Sequence, residues 1–566
     1  MENVETLYQK WLTSSKISDE ERKTLKEMQA EEKADAFYRE LEFGTAGMRG
    51  ILGPGINRMN LFTVRKATIG FALYLLEKFP DAKSRGVALS HDNRFFSREF
   101  TLDSAKTLNR YGIKTYIFDS LRPTPELSFA VRFSHAVGGI MITASHNPKE
   151  YNGYKVYDEN GCQLVPEKID RLVEIISHLP SPLEIEIDEV EPFGESITYD
   201  ENIDIAYRRE VESIQINKDL KRDNFKIVFS PQHGTSYENA MKIFEDLGYE
   251  VYPVLSQCSH DPDFKNTASP NPEDVRAYEA AIKLAHEKEA DIILITDPDA
   301  DRVGLGARDS TGEYRLFTGN ESGSMLLDYI LAERKKKGLL ASNGIVYSTI
   351  VTSSYSEIIP AYYGIESQLF LTGFKYIGDA IEQAIENKGP KFEFGYEESY
   401  GCLVKPFVRD KDALQALVMY SEMALFYKKQ GKNLIQVYDD MQVRFGYHAD
   451  KVYSIMFPGE AGAKKMTDLM DSLRLSPLKE IAGKKIIRVE DYLTSEAVEK
   501  GHRRPIFLPK ADVYKMVLDD QSTIIIRPSG TEPKCKFYYE VVGKSSPSIK
   551  GKADSLHQEL LRLLKI

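Results

Sequence analysis

Gly86-Val87-Ala88-Leu89-Ser90 is a short, continuous apolar run; Ser97 to Tyr111 follows with helical character and stops at Gly112, and Lys114-Thr115-Tyr116-Ile117-Phe118 is a second run. Strand, helix and strand in that order predict a parallel pair joined by a crossover helix. An apolar run without polar alternation is buried on both faces, as the strands of a parallel sheet are. The order recurs along the chain. Lys226-Ile227-Val228-Phe229-Ser230, Asp291-Ile292-Ile293-Leu294-Ile295 and Ile345-Val346-Tyr347-Ser348 predict further strands, and Asn239 to Leu247 and Pro272 to Glu289 predict helices between them. The fold class is α/β, with mostly parallel central strands.

Outside this pattern the ends differ. Val4 to Trp11 predicts an amphipathic helix, and Asp19 to Phe37 a charged one. Residues 180–205, proline-flanked and acidic, read as a linker. A second break falls near Gly431 to Gly446, after a helix from Ala413 to Lys429, and a weaker one near 316–320. Beyond the second break a mixed α+β unit is expected, with strands at Thr523-Ile524-Ile525-Ile526 and Cys535-Lys536-Phe537-Tyr538-Tyr539.

The 566 residues are enough for several domains, and 42% hydrophobic with 28% charged residues fits a chain that buries a sizeable core. A net charge of −12 argues against nucleic acid or an anionic membrane as partner, since either needs a clustered basic face. Cys162, Cys258, Cys402 and Cys535 are far apart, which predicts neither a zinc site nor a disulfide framework. No run of eighteen apolar residues and no apolar leader is seen, so a cytoplasmic protein is expected.

Four segments carry chemistry. In Gly139-Ile140-Met141-Ile142-Thr143-Ala144-Ser145-His146-Asn147-Pro148 a strand delivers one hydroxyl into a turn that Pro148 closes. Ser145 is read as a nucleophile carrying a phosphoryl group, with Lys155 close enough to fold back beside it. Asp297-Pro298-Asp299-Ala300-Asp301-Arg302 places three carboxylates at i, i+2 and i+4 directly after a strand, a pattern that converges on one hard cation. An EF-hand is excluded, because its sixth position would be Arg302 and its twelfth Arg308. Mg²⁺ is favoured, one per chain, since it takes a few carboxylates and leaves coordination to a phosphate, here an oxygen of phosphorylated Ser145.

Gly395-Tyr396-Glu397-Glu398-Ser399-Tyr400-Gly401 offers carboxylates and a hydroxyl to vicinal sugar hydroxyls. Arg527-Pro528-Ser529-Gly530-Thr531-Glu532-Pro533 sets an arginine fork beside clustered donors, a phosphate grip. Arg409-Asp410-Lys411-Asp412, Thr372-Gly373-Phe374-Lys375 and the loop Gly44-Thr45-Ala46-Gly47-Met48-Arg49-Gly50 supply further basic groups.

Together and in this order, these segments resemble the α-D-phosphohexomutase family, which includes phosphoglucomutases and phosphomannomutases; the bacterial α-phosphoglucomutase branch is the most similar. The resemblance implies three similar α/β domains around a central cleft and a C-terminal α+β domain, at 1–200, 201–317, 318–440 and 441–566. It implies a phosphoserine at Ser145 and Mg²⁺ on Asp297, Asp299 and Asp301, with Lys155, Lys411, Arg49 and Arg302 at the reacting centre. It further implies that Lys375, Glu397, Ser399, Arg409, Arg527, Ser529, Gly530 and Thr531 bind the substrate. Many members carry Gly directly before the Glu-x-Ser triplet, where this chain has Tyr396.

The expected reaction interconverts glucose 1-phosphate and glucose 6-phosphate, with glucose 1,6-bisphosphate as intermediate and activator. Mannose or pentose phosphates are alternative substrates, and which lysine serves as base stays open. A metal-dependent phosphohydrolase and a non-catalytic sugar-phosphate sensor are the rival classes. Small sugar phosphates are the expected partners, and a monomer or weak dimer the expected state.

Overall fold

The computed structural model describes residues 3–44, 47–186, 191–457, 459–529 and 534–566. Among these residues the chain builds four sheets. The first has seven strands, ordered Phe43–Gly44, Gly47–Ile51, Tyr151–Asp158, Gly138–Ile142, Val87–His91, Thr115–Ile117 and Ser196–Thr198. Its centre is parallel: Val87–His91 pairs with Gly138–Ile142 on one side and Thr115–Ile117 on the other. The second sheet centres on Ile292–Thr296 and Lys226–Ser230, also parallel. The third pairs Gly344–Thr349 in parallel with Glu366–Phe370 and Lys391–Tyr396. The fourth has eight strands and is antiparallel throughout.

This is the α/β class with a different C-terminal unit that the sequence predicts. The three α/β sheets share a cause. Gly138–Ile142, Ile292–Thr296 and Gly344–Thr349 are buried at every position, so each needs helices on both faces. The chain then leaves each central strand at its carboxyl end, the edge where open parallel sheets place their loops for ligands.

Three local expectations change. Asp19 to Phe37 is two helices, Asp19–Glu27 and Ala30–Phe37, because Met28 and Gln29 are extended. One unbroken helix would hold Leu25 and Phe37 about 18 Å apart. The break lets both join Tyr8 and Trp11 in one small core. In the stretch 180–205, Ser196–Thr198 is a strand, paired in parallel with Thr115–Ile117 at the edge of the first sheet. Between Gly431 and Gly446 a helix forms, Leu434–Phe445, started by a capping box of Asn433 and Gln436.

The fourth sheet meets the third along an apolar seam. Ile350, Val351 and Leu371 pack there against Tyr492, Val513, Ile525 and Tyr538. A polar knot lies beside it. Glu540 Oε1 accepts from Ser353 Oγ at 2.8 Å, from Ser354 N at 2.8 Å and from Ser354 Oγ at 2.8 Å, and His448 Nδ1 lies 3.0 Å away. Ser354 caps the helix Tyr355–Tyr363, so a carboxylate of one unit sits on the positive helix end of the other. No helix among the described residues is long and apolar enough to cross a membrane.

Candidate active site

The Ser145 loop follows the buried strand Gly138–Ile142. Ser145 N donates to Thr143 Oγ1 at 2.8 Å, and Asn147 N to Ala144 O at 3.1 Å, which bends the chain into a tight turn. Ser145 takes φ 51°, in the left-handed region that few non-glycine residues occupy. Its Oγ donates to Asp297 Oδ2 at 2.7 Å and lies 3.2 Å from His146 Nδ1. Burial first, then the charges of Arg302 and Arg49, hold the His146 imidazole well below its usual range, so it is neutral.

The aspartate loop spans the turn between two antiparallel strands, with Thr296 paired to Val303. Ala300 turns it through φ 56°. Gly234 lets it pack closely, since a Cβ there would stand 2.4 Å from Pro298 Cα. Asp297 Oδ1 accepts from Asp301 N at 3.2 Å and Arg302 N at 3.0 Å. Asp299 Oδ2 accepts from Thr124 Oγ1 at 2.9 Å and Lys155 Nζ at 2.9 Å. Asp301 Oδ2 lies 3.1 Å from Lys411 Nζ.

One oxygen from each aspartate lies within 4.8 Å of the others, and all three residues are buried. Among the described residues Asp299 Oδ1 and Asp301 Oδ1 have no hydrogen-bond partner, although both are buried. Buried carboxylate oxygens are costly to leave unpaired. An all-oxygen set converging with two open oxygens fits a hard divalent cation. This cluster can hold a metal.

The electrostatics separate Asp297 from Asp299. Burial, followed by the charges of Asp301 and Asp299, pushes Asp297 well above the usual carboxylate range. For Asp299 burial acts in the same direction, but the Lys155 ammonium and its hydrogen bonds overcome it and hold the carboxyl below that range. Burial works against the charge of Lys411, yet Asp301 and Asp410 hold it above the usual lysine range. Arg302 is likewise held charged against burial by Glu273 and the aspartates. Its Nη1 donates to Glu273 Oε1 at 2.8 Å, while Nε stays 3.6 Å from Asp301 Oδ1. Arg49 Nη1 donates to Asn147 Oδ1 at 2.9 Å, so it stands on the serine loop.

The third sheet brings the Glu397 loop to the same place. Glu397 N donates to Gly401 O at 3.0 Å, and Glu397 Oε1 accepts from Gly373 N at 2.8 Å, which ties the loop to the start of the helix carrying Lys375. Gly401 abuts Lys411: a Cβ would meet Lys411 Cδ at 2.0 Å. Ser399 is half-buried. Burial, then Glu397, pushes the neighbouring Glu398 up to about 7. Lys375 is pushed down to about 8, by burial.

Arg409 is the residue not brought in. Its Nε donates to Glu382 Oε2 at 2.9 Å and its Nη1 to Val408 O at 3.1 Å and to Pro406 O. The guanidinium is consumed in holding its own loop to the helix Phe374–Glu386, while Lys411, two residues on, faces the aspartates. Arg527 Nη1 donates to Tyr538 OH at 3.4 Å, and its charge acts on Tyr376, next to Lys375. Ser529 N donates to Lys534 O at 2.8 Å. Gly530 and Thr531 lie outside the described residues.

Sequence reading misses Thr124, Glu273 and Arg94. Thr124 fixes Asp299 and Glu273 pairs with Arg302, both from distant segments. Arg94 does have a local signal, since Asp92-Asn93-Arg94 leaves its strand as the serine loop leaves the neighbouring one.

The family described as phosphoglucomutase/phosphomannomutase, alpha/beta/alpha domains I, II and III, matches residues 40–181, 206–311 and 318–445. A phosphoglucomutase of Staphylococcus epidermidis is 38% identical over 514 residues, covering 90% of this chain and 92% of its own. One of Staphylococcus aureus is 36% identical over 535 residues, covering 93% and 94%. The solved phosphoglucomutase (pp63/parafusin) of Paramecium, in an open form, superposes with a TM-score of 0.65 at 18% identity, covering 93% of this chain and 95% of that one. The chain belongs to the phosphoglucomutase/phosphomannomutase family, the α-D-phosphohexomutases. It is an enzyme of the isomerase class, a phosphohexomutase, and its two staphylococcal relatives are bacterial phosphoglucomutases.

Proposed function

We propose that this enzyme interconverts glucose 1-phosphate and glucose 6-phosphate through a phosphorylated Ser145 and a bound glucose 1,6-bisphosphate. The contact of Ser145 Oγ with Asp297 Oδ2 at 2.7 Å carries the reading, because it sets the serine hydroxyl on the edge of the metal cluster. The phosphoglucomutase relatives support glucose as the sugar.

Asp297, Asp299 and Asp301 would hold Mg²⁺ together with an oxygen of the phosphoserine. When bound, the ion neutralises charge on the phosphoryl oxygens. In the first half-reaction a free sugar hydroxyl attacks phosphorus, the P–Oγ bond of Ser145 breaks and a P–O bond to the sugar forms. The hydroxyl proton leaves to a base and a proton returns to Ser145 Oγ. Lys411 is held charged by two carboxylates, while Lys155 faces one among the described residues, Asp299 at 2.9 Å, so the proton acceptor is assigned to the neutral form of Lys155, reached when its ammonium first gives a proton to solvent. Arg49, Arg302 and Lys411 stay positive around the transferring group, where charge spreads over the equatorial oxygens. The bisphosphate then turns over and returns its other phosphoryl group to Ser145.

Glu397 and Ser399 would meet sugar hydroxyls, while Lys375, Arg527 and Ser529 grip the phosphate that does not react. Peptide mass spectrometry of active protein should find phosphate on Ser145, and Ser145→Ala should abolish turnover. Parallel kcat/KM values on glucose, mannose and ribose 1-phosphates should favour glucose. A phosphate-free enzyme turning over fully without a bisphosphate primer sinks the covalent step; release of free phosphate would make it a hydrolase.

A further inference from the structure

Arg94 enters none of the steps above, yet its side chain is fully buried directly behind the serine loop. Its Nη1 donates to Pro148 O at 2.8 Å and Tyr151 O at 3.1 Å. Its Nη2 donates to Ser145 O at 2.6 Å and to Asn147 O. One guanidinium therefore gathers four main-chain carbonyls from a seven-residue stretch. Few groups can do this, because it needs several donors fixed in one plane.

The guanidinium is itself held from two sides. Its Nε lies 3.4 Å from Asp92 Oδ2, and Asp92 Oδ1 accepts from Arg94 N at 2.9 Å and Ser97 Oγ at 2.8 Å. The ring of Phe264, from the second α/β unit, stands 5.3 Å from the guanidinium carbon. In the same loop, Asp261 O accepts from Asn93 Nδ2 at 3.1 Å, and Lys149 Nζ lies 3.0 Å from Asp263 Oδ1. The serine loop is thus pinned from behind by a side chain that two units hold in place.

We propose that Arg94 is a positioning residue for phosphoryl transfer. By drawing the carbonyls of residues 145–151 to one point, it keeps Ser145 in the left-handed backbone conformation from which Oγ faces Asp297. Strained conformations of this kind persist only where the surroundings over-determine them. Arg94 touches neither the metal cluster's carboxylates nor a substrate-facing group named above, so it acts through Ser145. The inference rests on Ser145 being the phosphoryl carrier.

The test uses the full-length enzyme, labelled on Ser145 with radioactive phosphate from glucose 1,6-bisphosphate. Single-turnover transfer from Ser145 to glucose 1-phosphate is then compared between wild type, Arg94→Lys and Arg94→Ala. A lysine keeps the charge but offers a point instead of a planar fork. Arg94→Lys should therefore slow transfer about 100-fold, the scale on which small misplacements act, while KM for glucose 1-phosphate hardly moves. Added guanidinium ion should restore rate to Arg94→Ala and not to Arg94→Lys. Transfer at the wild-type rate in both variants overturns the proposal. So does a loss that tracks a lowered melting temperature and ignores guanidinium. If Arg94→Ala does not fold, the rate and KM of Arg94→Lys decide alone. A wild-type enzyme that takes no label on Ser145 removes the phosphoserine reading and this role with it; a labelled wild type with unimpaired variants removes only the role of Arg94.

Discussion

Lys155 Nζ stands 2.9 Å from Asp299 Oδ2, inside a site where three buried carboxylates face one another. That contact makes the aspartates unequal. Asp299 stays ionised, while Asp297, which lacks a lysine, is pushed upward by burial and by its two neighbours.

Replacing Lys155 by Met keeps the volume and leaves Asp299 buried with Thr124 as its remaining side-chain donor. Breaking a buried pair from one side costs about 3–5 kcal/mol. The pH sense comes from Asp299, whose folded-state pKa is depressed. Its stabilising contribution is present above the unfolded carboxylate pKa of about 3.9 and fades as pH falls below it. The melting-temperature gap between wild type and Lys155→Met should be wide at pH 7 and narrow in acid. A gap independent of pH would rule out the pairing.

Metal removal has the opposite sign, through Asp297. Its pKa is raised in the folded protein, so above the carboxylate range the folded state binds more protons than the unfolded one, and stability falls as pH rises. Enzyme stripped with a chelator should therefore lose melting temperature as pH rises above the ordinary carboxylate range, ~3.9 for an unperturbed Asp. Mg²⁺ at a hundred times its Kd should return about 2.7 kcal/mol, and Asp301→Asn should lose most of that response. A melting curve that ignores Mg²⁺ in wild type would refute the cluster as a metal site.

Lys375 is buried and its pKa is pushed down to about 8, so it sheds its charge earlier than an ordinary lysine. A phosphate bound beside it favours the charged form. Affinity for glucose 6-phosphate should weaken above pH 8, and calorimetry in buffers of different ionisation enthalpy should register proton uptake on binding. Lys375→Met should remove both effects while binding more weakly at every pH. Unchanged uptake in that variant would show that another group is responsible.

Gly401 leaves room for Lys411, and a methyl group there would come within 2.0 Å of Lys411 Cδ. Gly401→Ala should displace the ammonium from Asp301 and lower kcat on the order of 100-fold. A variant with wild-type kcat would mean that Lys411 need not sit where it does.

Much of the fold and of the site is legible in the sequence because it is local. The strands at Lys226–Ser230 and Ile292–Thr296 announce themselves by unbroken apolar runs, and the Asp297 and Ser145 loops by the polar residues set directly after such runs. What is not legible shares a cause too. Arg409 reads as a substrate contact in the sequence, which does not show that its guanidinium binds Glu382, 27 residues earlier. Arg94 and Thr124 act across 51 and 175 residues, on partners that no spacing rule connects. The break at Met28 and Gln29 is set by which side chains must reach Trp11, a demand of packing and not of propensity.

The seam between the third and fourth sheets carries one last implication. Ser145 and the three aspartates are delivered by the first two sheets, whereas Arg527 arrives on the fourth, joined through Ile350 and Val351 and the knot at Glu540. The joint is an apolar seam beside one polar knot, and apolar contacts are non-directional. On the proposed function, where Arg527 holds the phosphate that does not react, that anchor can then travel while the corner formed by Ser145 and the aspartates stays fixed, as turning a bisphosphate end for end would require.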